Sequence, residues 1–284
     1  MTALDTGTED LLAEVDDGVA VITMNRPSRR NAFSNDMVEA LGRVLAQVEL
    51  SDEVGCVVLT GAGDAFSAGG DVKAMADRGS SGGPSVPVDV AIHRQRLNQQ
   101  ATSGKLWRMP KPTIAHIPGP AAGAGLSLAL ACDLRYAAET AIFTTAFARV
   151  AFAGDYGGTW FLTRLVGPAK AKELYYFSER FTADQAEKLG LVNAVFPAGE
   201  LEKEVMDRAR RLAAGPSIAY RYMKENLNRA VHGNLEECMD LEVTHHIHTG
   251  LTEDHREAAQ AFVEKRELRG DAERPANKPV RASR

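Results

Sequence analysis

Three stretches of the sequence concentrate residue types from which chemistry can be built. The first, Gly61-Ala-Gly-Asp-Ala-Phe-Ser-Ala-Gly-Gly-Asp71, directly follows an apolar, β-branched run. Small residues there let backbone N–H groups approach a ligand without side-chain interference. The second, Gly119-Pro-Ala-Ala-Gly-Ala-Gly-Leu-Ser-Leu-Ala129, passes from a strand pattern into a helix start. A helix start offers unbonded N–H groups and the positive end of the helix dipole, both of which attract negative charge. Either stretch alone reads first as a tight turn with close packing; the pair can form two halves of an oxyanion hole. Neither contains Gly-x-Gly-x-x-Gly followed by an acidic ribose ligand, nor Gly-Lys-Ser/Thr, which argues against a dinucleotide or P-loop site.

The third stretch centres on Asp155, set among Phe152, Tyr156 and Trp160 with glycines at 154, 157 and 158. A lone carboxylate in aromatic surroundings loses hydration, and its pKa rises toward a range useful for moving protons. One such base can take a proton from one carbon and return it to another, a double-bond shift that needs no water. The same aspartate also fits the cap of a helix beginning near Gly157. His245, His246 and His248 are adjacent in sequence, but successive helical positions point apart and no carboxylate stands at ligand spacing. They read as surface or interface residues, and no metal site is expected. Ser127 has no His-Asp arrangement in view and is not read as a nucleophile. Cys56, Cys132 and Cys238, widely spaced in apolar or helical contexts, read as buried thiols.

These groups need a scaffold, and the hydrophobic pattern supplies an α/β one. Apolar runs at 11–15 and 19–24 flank Asp17-Gly18, a turn pair that predicts a hairpin. Helical spacing over 35–50 leads into a buried-type strand at 54–60. A strand at 112–117, a helix at 124–132, and strands at 134–137 and 142–144 continue the alternation. Residues 78–87, rich in Gly, Ser and Pro, read as a mobile surface loop. After Gly167 the pattern turns mostly helical, with a capping box at Thr182-Ala-Asp-Gln185 closed by Gly190 and helices at 201–214, 216–231, 235–248 and 252–268. Residues 1–10 and 269–284 read as disordered.

Composition narrows the partners. The 284 residues, 44% hydrophobic and 25% charged, suffice for a sizeable buried core, and a net charge of −5 provides no clustered cationic face for nucleic acid or an anionic membrane. The apolar stretch 123–132 is far shorter than the roughly 20 residues of a membrane span, and the first ten residues are polar and acidic rather than signal-like. The expected location is cytoplasmic.

Taken in order, Asn25-Arg-Pro27 with Asn31-Ala-Phe33, Ala65-Phe-Ser-Ala-Gly-Gly-Asp71, Lys111-Pro-Thr-Ile-Ala115, Cys132-Asp133, Gly157-Gly-Thr159, Arg164-Leu-Val-Gly167, Ala186-Glu-Lys-Leu-Gly-Leu-Val192 and Ala261-Phe-Val-Glu-Lys-Arg266 resemble the crotonase (enoyl-CoA hydratase/isomerase) superfamily over about residues 11–268. The resemblance implies a spiral core of β-β-α units at 11–198, a helical C-terminal region at 199–268 that mediates assembly, and a homotrimer or dimer of trimers. It implies an acyl-CoA thioester ligand, with coenzyme A entering as part of the substrate and no permanently bound cofactor. The oxyanion is then the thioester carbonyl as it becomes an enolate, the N–H donors are those of Ala68 and Ala124, and Gly69, Gly70 and Asp71 line the same CoA-contacting loop.

Hydratases of the superfamily use two glutamates, at positions that here read Ser127 and Phe147. Neither can act as a carboxylate base, so the water-adding mechanism lacks both its groups. Asp155 instead matches the catalytic aspartate of dienoyl-CoA isomerases and of epoxyphenylacetyl-CoA isomerases. The strings Thr-Thr-Ala-Phe-Ala-Arg at 144–149 and Asp-x-Gly-Gly-Thr-Trp-Phe-Leu at 155–162 look most like the latter group. Ser127, Phe147 and Trp160 are expected to line the substrate site, with the 78–87 loop helping to shape the acyl pocket; His93, which follows that loop, reads more readily as lying outside the pocket than as lining it. Phe262 and Lys265, at i and i+3, match positions that reach CoA from a neighbouring subunit, though an ordinary amphipathic helix accounts for them equally. The expected activity is acyl-CoA double-bond isomerisation. A hydratase and a ring-opening hydrolase of the same fold are the alternatives, and a catalytically impaired acyl-CoA-binding protein is the alternative from another class.

Overall fold

The computed structural model describes residues 1–80 and 86–266. A short strand β1 (Thr2–Ala3) pairs with β2 (Leu11–Asp16), Thr2 opposite Val15 and Ala3 opposite Glu14. Residues 1–10 are therefore ordered, contrary to the expectation. The buried Thr6 hydroxyl bonds the carbonyls of Thr8 and Leu11, each at 2.8 Å, and the terminal amine meets Asp16 at 3.1 Å. A two-residue polar edge strand held by turn hydrogen bonds carries no hydrophobic period to be read.

Asp17 and Gly18 take positive φ (47° and 76°), and this turn folds β2 antiparallel onto β3 (Val19–Met24). Helix α1 (Asn35–Leu50), capped by the Ser34 hydroxyl on the Met37 N–H, then crosses to β4 (Cys56–Gly61), which lies parallel to β3. β4 is buried at all six positions because both sheet faces are covered. Val57 and Leu59 join the cluster containing Leu41 and Leu45 of α1, whereas Cys56 and Val58 join one containing Leu201, Val205 and Ala209.

Next come α2 (Val72–Ser80), α3 (Val88–Ala101), α4 (Ser103–Arg108), β5 (Thr113–Ile117), β6 (Ala121–Ala122), α5 (Ala124–Ala131), β7 (Leu134–Ala138) and β8 (Ile142–Thr144). Of the expected loop at 78–87, residues 78–80 finish α2 and 81–85 lie outside the described residues. α6 (Gly158–Phe177) bends at Gly167 (φ 77°, ψ 164°), which precedes Pro168. β9 (Phe181–Thr182), α7 (Ala183–Lys188) with the expected capping box, and β10 (Ala194–Phe196) complete the core. The seven-stranded sheet runs β1-β2-β3-β4-β5-β7-β10, parallel from β3 onward, and β6, β8 and β9 form a smaller sheet.

Four helices follow: α8 (Ala198–Ala213), α9 (Ser217–Ala230), α10 (Leu235–Gly250) and α11 (Glu253–Glu264). α8 covers the second sheet face, and α9 is stapled to the core by the buried Lys224. Its Nζ donates to the carbonyls of Leu106 (3.0 Å) and Lys111 (3.1 Å) and to Asp133 Oδ2 (2.8 Å), which also accepts the Thr113 N–H at 2.8 Å. The Lys111-Pro-Thr and Cys132-Asp133 motifs are thus structural. Two expectations change here. His245 is buried, its Nδ1 2.6 Å from Asn226 Oδ1 and its ring stacked on Tyr222 at 4.1 Å, and Cys238 is only half-buried. Burial pushes the Cys56 and Cys132 thiols up to about 12, leaving both unreactive. Residues 269–284 lie outside the described residues.

Candidate active site

The two glycine-rich segments meet, and Asn31 organises the meeting. Its buried side chain accepts the Arg26 N–H (2.9 Å) and donates to the carbonyls of Ala62 (2.9 Å) and Ala65 (2.8 Å), pinning the turn that follows β4. Ser67 Oγ donates to the Asn31 carbonyl (2.8 Å) and accepts the Gly69 N–H (3.0 Å). Ser67 N–H donates to Pro120 O and Ala122 N–H to Ser67 O, lacing the first segment to the second. Gly69 has φ 79°, and a Cβ there would fall 2.6 Å from Ala122 O and 2.9 Å from the Ala124 nitrogen. Only glycine lets the loop lie against the start of α5.

This geometry corrects one expected donor. The Ala68 N–H already donates to the Arg30 carbonyl at 2.8 Å and has no capacity left for a ligand. Two residues on, the Gly70 N–H has no hydrogen-bond partner among the described residues. Ala124 opens α5, so its N–H has no intrahelical acceptor, and none is found for it elsewhere among the described residues. Gly70 and Ala124 each offer an unbonded donor where the two segments meet. Asp71 points elsewhere: it accepts the Ala74 N–H at 3.1 Å at the head of α2 and pairs with Arg26 at 3.3 Å. That backbone bond, then Arg26, holds its carboxyl below the usual range.

Asp155 sits in a loop of unusual backbone. Ala151 (φ 57°), Gly154 (φ 114°), Tyr156 (φ 49°) and Gly157 (φ 75°) all take positive φ, and such conformations collect where a fold holds a site against strain. Tyr156 is kept there by burial and an edge-on contact with Phe33 at 5.5 Å. Asp155 does not cap α6. The cap position is Gly157, with no side-chain cap bond, and only the Asp155 backbone carbonyl accepts the Gly158 N–H, at 3.0 Å. Its Oδ1 is buried without a partner among the described residues, and desolvation pushes the carboxyl up to about 6.

Of the aromatic groups expected around it, Tyr156 is in place and the other two are not. Phe152 is 58% exposed, and Trp160 packs on Trp107 at 5.1 Å with the Arg164 guanidinium over its ring. The ring that shares the neighbourhood with Tyr156 is Tyr175, whose hydroxyl is kept protonated by burial and then by Asp155. No sequence signal marks Tyr175, because it reaches the loop only after α6 has bent at Gly167. Ser127 is buried and donates back to the Gly123 carbonyl (3.2 Å), while Phe147 stacks on Tyr175 at 5.6 Å. Gly123, Ser127, Phe147, Gly158 and Tyr175 line a notch that has no room for a water.

His93 and two expected site residues, Phe262 and Lys265, lie apart from this cluster. His93 is exposed on α3, Phe262 is 85% exposed, and α11 stops at Glu264. Lys265 is its left-handed C-cap (φ 55°), so Phe262 and Lys265 do not share a continuous helix face as the i, i+3 spacing predicts. Among the described residues no group of His, Cys, Asp and Glu is disposed to hold a metal, and no helix is long and apolar enough to cross a membrane.

Comparison with known proteins returns one family. Residues 14–270 match the sequence profile described as enoyl-CoA hydratase/isomerase. A 1,2-epoxyphenylacetyl-CoA isomerase from Escherichia coli is 36% identical over 91% of this chain and 97% of its own. A short-chain-enoyl-CoA hydratase from Clostridium acetobutylicum is 31% identical over 92% and 97%. The crystal structure of an enoyl-CoA hydratase from Bacillus anthracis superposes with a TM-score of 0.84 at 32% identity, covering 92% of this chain and 98% of that one.

Proposed function

The chain belongs to the enoyl-CoA hydratase/isomerase family, and from that premise we propose that it is an acyl-CoA double-bond isomerase. A CoA thioester places its carbonyl oxygen between the N–H groups of Gly70 and Ala124. Loss of a proton from the adjacent carbon turns that oxygen into an enolate, and two preorganised donors stabilise the negative charge where it forms. Removing one such donor typically costs on the order of 10² to 10³ in rate. Asp155 takes the proton and returns it further along the chain.

The observation that carries this reading is the half-buried Asp155 carboxylate, whose Oδ1 is buried without a partner among the described residues and whose pKa is pushed up to about 6. A base near that value is largely ionised at neutral pH, and its conjugate acid remains strong enough to give the proton back. Hydration is disfavoured by the same site. The positions of the two hydratase glutamates hold Ser127, already bonded to Gly123, and Phe147, and the notch between them does not admit water. A merely binding role leaves the buried, unpartnered Asp155 Oδ1 without a purpose, since such an atom destabilises the fold.

The test is a panel of 2-enoyl, 3-enoyl, dienoyl and ring-bearing CoA thioesters with products identified by mass. Conversion of an unsaturated thioester without change of mass is the expected result. Water addition to crotonyl-CoA at rates typical of enzymes, about 1 to 10³ per second, would overturn the reading.

A further inference from the structure

Tyr175 lies across the Asp155 loop. Its ring stacks on Phe147 at 5.6 Å with the planes 12° apart. A Cβ on Gly154 would fall 3.1 Å from its Cε1, and one on Gly158 would fall 2.8 Å from its hydroxyl oxygen. The ring therefore bridges Phe147 and the glycines on both sides of Asp155. The Cβ on Gly158 would also run into Ser127 Oγ, so that hydroxyl borders the same space. No hydrogen bond to the Tyr175 hydroxyl is found among the described residues.

A buried water needs roughly 10–15 Å³ of its own and two to four polar partners. The partners are at hand: Asp155 Oδ1 is unpartnered, and Ser127 Oγ stands beside Gly158. What is missing is room: the notch that Tyr175 and Phe147 line together with Ser127 and Gly158 has no space for a water. We propose that Tyr175 sets the outcome of the reaction by standing where a water would stand, so that a small side chain at 175 turns the isomerase into a water-adding enzyme. This rests on Asp155 being the base.

With the ring in place, the proton leaves C2 of a 3-enoyl thioester for Asp155 and returns to C4, while the electron pair ends as the C2=C3 double bond. With water admitted beside a 2-enoyl thioester, Asp155 takes a proton from water and the water oxygen bonds to C3. The π pair passes into the thioester enolate held by the Gly70 and Ala124 N–H groups, and the proton from Asp155 goes to C2. One water is added across C2=C3, with no redox change and no leaving group.

The experiment compares wild type with Tyr175→Ala, Tyr175→Val and Tyr175→Phe on 3-enoyl and 2-enoyl thioesters in ¹⁸O-labelled water, and reads the ratio of labelled hydrate to isomer. Alanine and valine should raise that ratio at least about tenfold. Phenylalanine, which keeps the ring, should stay at the wild-type ratio. The proposal fails if alanine or valine isomerises the substrate at an unchanged ratio, or if phenylalanine raises the ratio as much as alanine does. It fails too if both small variants lose all turnover while phenylalanine keeps it, because the ring would then belong to the isomerisation itself. A wild type that isomerises no enoyl thioester would instead sink the Asp155 reading.

Discussion

Asp155 shows the conflict between stability and reactivity at a single residue. Burial favours its protonated form, so folding lifts its pKa from the ordinary carboxylate range to about 6. The folded state then binds this proton more tightly than the unfolded chain does. Stability accordingly falls as pH rises from about 4 through about 6, and the loss is complete above that window. Asp155→Asn removes the buried charge and should stabilise the protein at pH 7 by about 1–2 kcal/mol, a figure discounted for the residue's partial exposure. Thermal unfolding at pH 7 and at pH 4 checks this: the gain should vanish at the lower pH. The same variant cannot accept a proton, so turnover should drop by about 10² or more with CoA binding nearly intact. In the wild type, kcat/KM should rise with pH through about 6 as the base ionises. A flat profile together with a fully active Asp155→Asn would place the base elsewhere. The sequence singled out Asp155 by its neighbours yet left it open as a cap, and only the Gly157 cap position removes the second reading. The first donor was harder to read. Motif matching selects Ala68, but which N–H of Ala68-Gly-Gly is unbonded depends on where the Arg30 carbonyl lies, and no side chain records that.

At the scale of elements, the proposed active site is the contact between one turn and one helix start. Gly69→Ala places a methyl group into Ala122 O and the Ala124 nitrogen at a backbone angle that L-residues resist, so it must push the two donors apart. A displacement near 1 Å costs on the order of 10² in rate. Gly190 supplies the control: its φ is 73°, but a Cβ there meets nothing within 4 Å. Both alanine variants should lose about 1–2 kcal/mol of stability from the left-handed conformation, and only Gly69→Ala should lose activity. Equal kcat/KM for the two would separate the segment contact from catalysis. Elements with a strong period were legible in the sequence: the hairpin at Asp17-Gly18, α1, β4, α5 and the capping box of α7 all form where the pattern predicts them. Those without one were not. β1, β6 and β9 are two residues long and arise from pairing, α2 extends into a Gly-Ser stretch that composition assigns to a loop, and α11 ends early because Lys265 turns left-handed.

For the whole molecule, the helical C-terminal region poses a problem that the single chain does not solve. Met223, Leu227, Leu235, Met239, Val243 and Ile247 on α9 and α10 are all exposed, as are Leu251 beyond α10 and Phe262 on α11. Apolar side chains in such number along successive helices mark a surface made for another protein surface. We expect it to be covered by further copies of the chain, in the trimer or pair of trimers that the family resemblance implies. Phe262 and Lys265 would then reach the CoA of a neighbouring subunit, a flat ring beside a flexible cation. An exposed lysine paired with phosphate contributes little in water, so Lys265→Ala should weaken CoA binding by about 1 kcal/mol, roughly five- to tenfold, and by more at low salt. Truncation before Thr252 removes that contact together with the apolar residues of α11, and should cost both assembly and activity. Sedimentation of the truncated protein, measured alongside turnover, distinguishes the possibilities. Loss of assembly and activity together fits a site completed across the subunit boundary. A truncated monomer with full activity would show that each chain completes its own site, and that Phe262 and Lys265 have no part in binding CoA.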